Sequence, residues 1–359
     1  MLKRYMHKRE RYFALLNDNR TVQPFEWGAE FVVDHSNGGD PRKLLAEFSK
    51  AAVENSDEYF RLAGVPEFQL EARLYPSTAS LSAEELTRSV EQIEIPVLSW
   101  KSAVETISHE NNTALATYFP HPEKRAAVII LPHWNAKAGT YFDLAKFLNK
   151  VGLSALRLTL PYHEERMPPE LERADHLVSP NVGRSLQSVQ QAVLDTRAAV
   201  AWLKQQGYEK VGIVGTSIGS CVAFMAWVHE PQLDAAVFNH VSGYMADVVW
   251  HGLSTYHVRE GFGDNLSLDE LREYWMPVSP MAYMDRLSAL SPRPQRYIYT
   301  LYDLSFPIEL SREVMRELRR RNIPHSKAAI PCGHYTLGEK PWVYLDGYKI
   351  ISFLRRHLK

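Results

Sequence analysis

Val211-Gly212-Ile213-Val214-Gly215-Thr216-Ser217-Ile218-Gly219 runs almost directly into Cys221-Val222-Ala223-Phe224-Met225-Ala226-Trp227-Val228. The opening apolar residues read as a buried strand and the closing run as a helix, which puts Ser217 on the sharp turn between them. A serine so placed is held with its hydroxyl exposed. Gly215 and Gly219, two before and two after it, let the backbone turn tightly without Cβ clashes. G-x-S-x-G alone arises often by chance, but here its strand and helix context accompanies it. Ser217 is the candidate nucleophile at such an elbow.

A lone serine hydroxyl is a weak nucleophile at neutral pH, so the motif calls for a base and an acid to orient it. Tyr297-Ile298-Tyr299-Thr300-Leu301-Tyr302 reads as a buried strand ending at Asp303, and Pro307 then opens the helical run Ile308 to Arg321. A further strand, Lys327-Ala328-Ala329-Ile330, ends at Pro331-Cys332-Gly333-His334, where Gly333 leaves the backbone free to present the imidazole. Asp303 also suits a helix N-cap, and Asp247 is the next candidate for the acid.

The elbow and the chain order Ser217, Asp303, His334 resemble the α/β-hydrolase superfamily from about residue 95 to the end of the chain. The spacing from Pro161-Tyr162-His163-Glu164-Glu165-Arg166 to the elbow is similar to the dienelactone hydrolase and acyl-peptidase side. It is similar also to bacterial relatives known only as hydrolase-domain proteins. The resemblance implies an α/β-hydrolase fold, a mostly parallel central sheet flanked by helices. It also implies a triad in which His334 takes the Ser217 proton and Asp303 fixes the imidazole tautomer.

One departure lies at the loop after Val128-Ile129-Ile130-Leu131, where relatives read His-Gly and this chain reads His133-Trp134-Asn135. A backbone N–H can face an oxyanion whatever its side chain, so Trp134 and Ile218 are the expected oxyanion hole. The Trp134 indole either narrows the acyl pocket or packs under the loop. A serine at the elbow argues against haloalkane dehalogenase and epoxide hydrolase chemistry, which in this superfamily uses an aspartate there.

Two regions are predicted. Residues 1–95 read as a largely helical N-terminal extension: Leu2, Tyr5, Met6, Tyr12, Phe13 and Leu16 recur at helical spacing, Asp40-Pro41 starts a second helix, and Ser82 with Glu85 forms a capping box. These helices are expected to pack on the second region or to form a homo-oligomer contact. Residues 96–359 alternate as strands and helices, opening with an antiparallel pair, Val97 to Glu105 and Thr113 to Tyr118. The stretch from Ser242 to Pro294 is expected to build a small helical lid, at the place where the family usually puts its cap.

Composition sets outer limits. The 359 residues carry a net charge of −1, from 41 basic and 42 acidic residues, which gives no pull toward nucleic acid. Two cysteines, Cys221 and Cys332, make no disulfide framework and fit a reducing compartment. With no signal-peptide pattern and no apolar run long enough to span a membrane, the expected location is cytoplasmic.

Substrate contacts are expected from His133, Tyr162, His163, Arg166, Tyr244 and His251, with Arg166 or Arg259 able to grip a carboxylate at two points. The cluster His163, Glu164, Glu165, with His251 and His257, matches no zinc spacing, so neither metal nor other cofactor is expected. The favoured function is a cofactor-independent serine hydrolase, carboxylesterase-like, cleaving a small-molecule carboxylic ester or thioester. Alternatives are an acyltransferase or small peptidase on the same triad, and a non-catalytic interaction protein, against which the intact triad argues.

Overall fold

The computed structural model describes residues 2–16, 18–33, 38–76, 92–123 and 125–359. Its nine strands are β1 (Phe68–Pro76), β2 (Gln92–Lys101), β3 (Thr113–Phe119), β4 (Ala126–Leu131), β5 (Ser154–Thr159), β6 (Lys210–Thr216), β7 (Ala235–Asn239), β8 (Gln295–Thr300) and β9 (Ser326–Ile330). They form one sheet in the order β1-β2-β3-β5-β4-β6-β7-β8-β9. The β1-β2, β2-β3 and β3-β5 pairs are antiparallel. From β5 through β9 every pair is parallel. This mixed, mostly parallel sheet flanked by helices is the α/β-hydrolase fold.

The helices of the described residues are α1 (Leu2–Leu15), α2 (Pro41–Glu54), α3 (Ser56–Tyr59), α4 (Phe142–Lys150), α5 (Val182–Gln205), α6 (Ile218–His229), α7 (Met245–His251), α8 (Tyr256–Phe262), α9 (Leu268–Tyr274), α10 (Met284–Ala289), α11 (Ile308–Arg320) and α12 (Trp342–Leu358). Strand alternation divides the core between the two faces of the sheet. On β4, Ala127, Ile129 and Leu131 join the larger cluster with α5 and α6, while Ala126, Val128 and Ile130 join the smaller one with α4 and α12. Every residue of α6 is buried, which explains why its sequence is apolar all round rather than striped.

One expectation changes. The sheet begins earlier than the boundary near residue 95, because β1 pairs with β2 from Phe68 to Pro76 and the boundary falls inside β2. An edge strand with most side chains exposed has no apolar alternation, so β1 carries no period-two signature. The Ser82 and Glu85 capping box lies outside the described residues.

The N-terminal segment is not a separate layer. Met6 packs into the smaller cluster, while Ala29, Leu45 and Phe60 sit in the larger one, on the opposite face. The insertion after β7 is likewise fused to the body: Phe262, Trp275, Tyr283 and Met284 are fully or almost fully buried in the larger cluster. Its own capping box, Ser267 with Glu270, starts α9.

Candidate active site

Ser217 lies between β6 and α6 with φ 58° and ψ −123°, a conformation that non-glycine residues rarely hold. The turn is pinned by its neighbours. Ser217 N–H donates to Asn239 O at 2.9 Å, and Ser220 Oγ donates to both Ser217 O (2.7 Å) and His240 O (3.0 Å). A Cβ on Gly215 would lie 2.0 Å from Gly219 O, and one on Gly219 would lie 2.3 Å from Leu131 O. The glycines thus permit both the tight turn and the close approach of α6 to the loop after β4. Ile218 is the first residue of α6, where backbone N–H groups have no acceptor within the helix.

That loop is held by side chains from two directions. Asn135 adopts φ 59° and donates its N–H to His163 Nε2 at 2.8 Å; its Oδ1 accepts from Ala174 N–H at 2.8 Å. Trp134 Nε1–H donates to Ala174 O at 2.8 Å, and its indole stacks on His257 with centroids 5.6 Å apart and planes 14° from parallel. Trp134 is therefore clamped between the segment that follows β5 and the insertion after β7.

Asp303 and His334 are brought together as the sequence predicts, by the ends of β8 and β9. Asp303 Oδ2 accepts from His334 Nδ1 at 3.2 Å. Its Oδ1 accepts from the N–H groups of Ser305 (2.8 Å) and Phe306 (2.7 Å), and Thr300 Oγ1 donates to Oδ2 at 3.0 Å. Burial alone would raise the Asp303 pKa, but the His334 charge and the bonds from two histidines hold the carboxyl well below the usual range. Burial pulls the His334 pKa down, yet Asp303, and less strongly Glu10, outweigh it and the pKa is raised. Among the described residues no hydrogen bond joins Ser217 Oγ to His334; in unliganded sites such contacts are often long and tighten only around substrate. Asp247 is instead paired with Arg272 at 2.7 Å.

Sequence reasoning missed two participants. His240, just beyond β7 at φ 61°, donates from Nδ1 to the same Asp303 oxygen at 2.9 Å. Its ring centroid lies 4.4 Å from that of His334. The only signal was position, at the end of the strand where some relatives carry the acid. The other is Glu10 of α1, which accepts hydrogen bonds from the backbone just after His334; no local pattern relates them. His240, Asp303 and His334 present donor atoms within 4.8 Å of one another. A metal there would have to displace the protons through which both imidazoles bind Asp303.

Other predicted contacts are placed elsewhere. Arg166 is fully buried, paired with Asp195 at 2.9 Å and bonded to Thr159 O and Asn111 O. Tyr162 is buried edge-on against His176. His163 serves the β4 loop, and burial lowers its pKa to about 3. Glu164 pairs with Arg157 and Glu165 with Arg73, so these acids do not converge with His163. Tyr244 lies against Arg272, and His251 is exposed at the end of α7. Arg259 lies over the Trp250 ring. His133 is half-buried beside Tyr141, its Nδ1 2.8 Å from the phenol, and the charges of His334 and His240 bear on it. A separate surface groove of about 290 Å³ between α11 and the sheet edge, lined by Tyr299, Arg312, Arg316, Arg319 and Lys327, contains none of these groups.

Fold and site define the class: an α/β-hydrolase fold with a serine elbow and an acid–histidine pair on the loops after β8 and β9. No protein-family model and no curated protein matches the sequence. Solved structures do match in fold. An acetyl xylan esterase from Paenibacillus sp. R4 is similar at 13% identity with TM-score 0.58, over 92% of this chain and 99% of that one. The Pyrococcus horikoshii acylaminoacyl peptidase is similar at 14% identity with TM-score 0.54, over 84% of this chain and 43% of that one. A Mycobacterium tuberculosis puromycin-hydrolyzing peptidase matches at 13% identity with TM-score 0.55, over 80% of this chain and 46% of that one. This chain therefore spans less than half the length of either peptidase. Among the described residues no helix is long and apolar enough to cross a membrane.

Proposed function

We propose that the protein is a serine hydrolase that cleaves a carboxylic ester or thioester of a small molecule through an acyl-enzyme on Ser217. The observation that carries this reading is the Asp303 to His334 hydrogen bond at 3.2 Å, on loops at the same C-terminal ends of the parallel strands as the elbow. With Nδ1–H engaged by Asp303, the lone pair of His334 is left on Nε2, the atom required to take a serine proton. His334 removes the Ser217 proton as Oγ attacks the carbonyl carbon. The Ile218 and Trp134 N–H groups receive the oxyanion. The leaving alcohol or thiol takes the proton from His334, and water activated by the same imidazole then releases the acid.

The strained Ser217 backbone supports the reading, since strain of this kind persists where the surroundings over-determine a functional conformation. Labelling with a fluorophosphonate probe, beside Ser217→Ala and followed by peptide mapping, tests it. Label confined to Ser217, with turnover of an ester panel that is lost in Ser217→Ala, is the expected result. Turnover retained in Ser217→Ala would overturn it. Competition by added alcohol and amine acceptors, and a parallel amide panel, separate hydrolase from acyltransferase and peptidase.

A further inference from the structure

The histidine loop is closed from outside the parallel sheet. Glu10, in the middle of α1, is fully buried. Its carboxylate accepts from Tyr335 N–H (3.1 Å), Thr336 N–H (2.8 Å) and Thr336 Oγ1 (2.8 Å). Thr336 Oγ1 also accepts from Gly333 N–H at 2.8 Å, so the bonds enclose His334 on both sides. A Cβ on Gly333 would lie 2.2 Å from the Glu10 carboxyl carbon; only glycine lets the carboxylate come this close. The buried positions of α1 are Met6, Glu10 and Ala14, one stripe at a spacing of four, with the acid at its centre. A buried carboxylate is costly unless its oxygens are satisfied, and here the satisfying donors belong to the loop that carries the imidazole.

We propose that Glu10 is a positioning residue for His334, a carboxylate supplied by the N-terminal helix that sets the histidine loop and adds its charge to that of Asp303. The inference rests on the reading of His334 as the general base. The titratable groups facing the two residues are Asp303 after β8, His240 after β7, His133 after β4 and Cys332 at the end of β9. Of these only Asp303 carries a second negative charge close to the imidazole, so removal of the Glu10 charge should lower the affinity of His334 for a proton.

The test compares Glu10→Gln, Glu10→Asp and Met6→Ala in the full chain. The His334 pKa is read by NMR of the imidazole in the resting protein, and kcat and KM against pH with an activated ester. Glu10→Gln should lower the His334 pKa and cut kcat by roughly 10- to 100-fold, the scale of a misplaced catalytic group, with KM little changed. Glu10→Asp keeps the charge but is one methylene shorter, so it should lose kcat while holding the pKa nearer to that of the parent. Met6→Ala loosens the packing of the same helix but keeps the Glu10 carboxylate and its hydrogen bonds; it should lower Tm and leave the pKa in place. An unchanged pKa in Glu10→Gln, an equal shift in Met6→Ala, or failure of both Glu10 variants to fold would overturn the positioning role. The NMR reading needs no turnover, so a parent protein without esterase activity would remove the proposed function while leaving this test intact.

Discussion

The imidazole of His334 lies flat on the ring of Phe306, with centroids 5.3 Å apart and planes 6° from parallel. The same Phe306 donates its backbone N–H to Asp303 Oδ1 at 2.7 Å. One residue thus shelves the imidazole and anchors the acid that orients it. Phe306→Ala keeps the backbone bond but removes the shelf, and kcat should fall by about tenfold or more while Asp303 stays in place. Steady-state kinetics with an activated ester checks this, and an unchanged kcat would remove the shelf from the argument.

Because Asp303 raises the His334 pKa, kcat/KM should rise with pH through a midpoint above about 6.5, the ordinary histidine value. The neutral imidazole is the working form, so activity is lost on the acid side. Asp303→Asn removes the orienting charge and favours the wrong tautomer, lowering kcat by about 10⁴-fold. A pH–rate profile of both proteins measures the two effects; a parent midpoint below 6 would contradict the first. Asp247→Asn should change stability through Arg272 and leave the profile where it is.

Acid should destabilise the fold well before general denaturation. Burial lowers the pKa values of His133, His176, His229 and His257 to about 4, and that of His163 to about 3. In the unfolded chain each titrates near 6.5, so between these values the unfolded state binds more protons and stability falls as pH falls. His334 and buried carboxyls such as Asp346, which burial pushes up to about 7, oppose this, against five histidines shifted down. Thermal melts at pH 7.5 and pH 5 should show a clear drop in Tm, and His229→Gln, remote from the site on α6, should shrink it. A Tm independent of pH over that range would refute the argument.

Arg166 is a structural cation. Its partner Asp195 is 1% exposed and the arginine fully buried, so Arg166→Ala leaves an unpaired carboxylate in the core. The expected loss is about 3–5 kcal/mol in chemical denaturation, with KM unchanged in whatever protein remains folded. A raised KM without loss of stability would return Arg166 to the substrate.

Trp134, clamped by Ala174 and His257, occupies the place of the smaller residue found in relatives. Trp134→Ala should raise kcat/KM for bulky acyl esters relative to acetyl esters, since the backbone N–H survives the change. A parallel loss for all acyl lengths would mean that the indole serves the loop rather than the pocket.

The elbow, the strands that end at Asp303 and His334, and the alternation of the parallel core are all legible in the sequence. Each is written locally, as apolar periodicity, a glycine where a turn needs one, or the order of three residues along the chain. Other features are decided only by tertiary packing. β1 is an edge strand with mostly exposed side chains, so it carries no apolar pattern to read. Arg166 and His163 look like site residues beside a strand end, but their surroundings turn one into a buried ion pair and the other into a brace for the β4 loop. His240 reaches Asp303 only because β7 and β8 are neighbours in the sheet. Glu10 meets Thr336 across 326 residues of chain. A buried carboxylate finds its partners through the geometry of the whole fold, and nothing in the spacing of neighbouring residues records which loop it will meet.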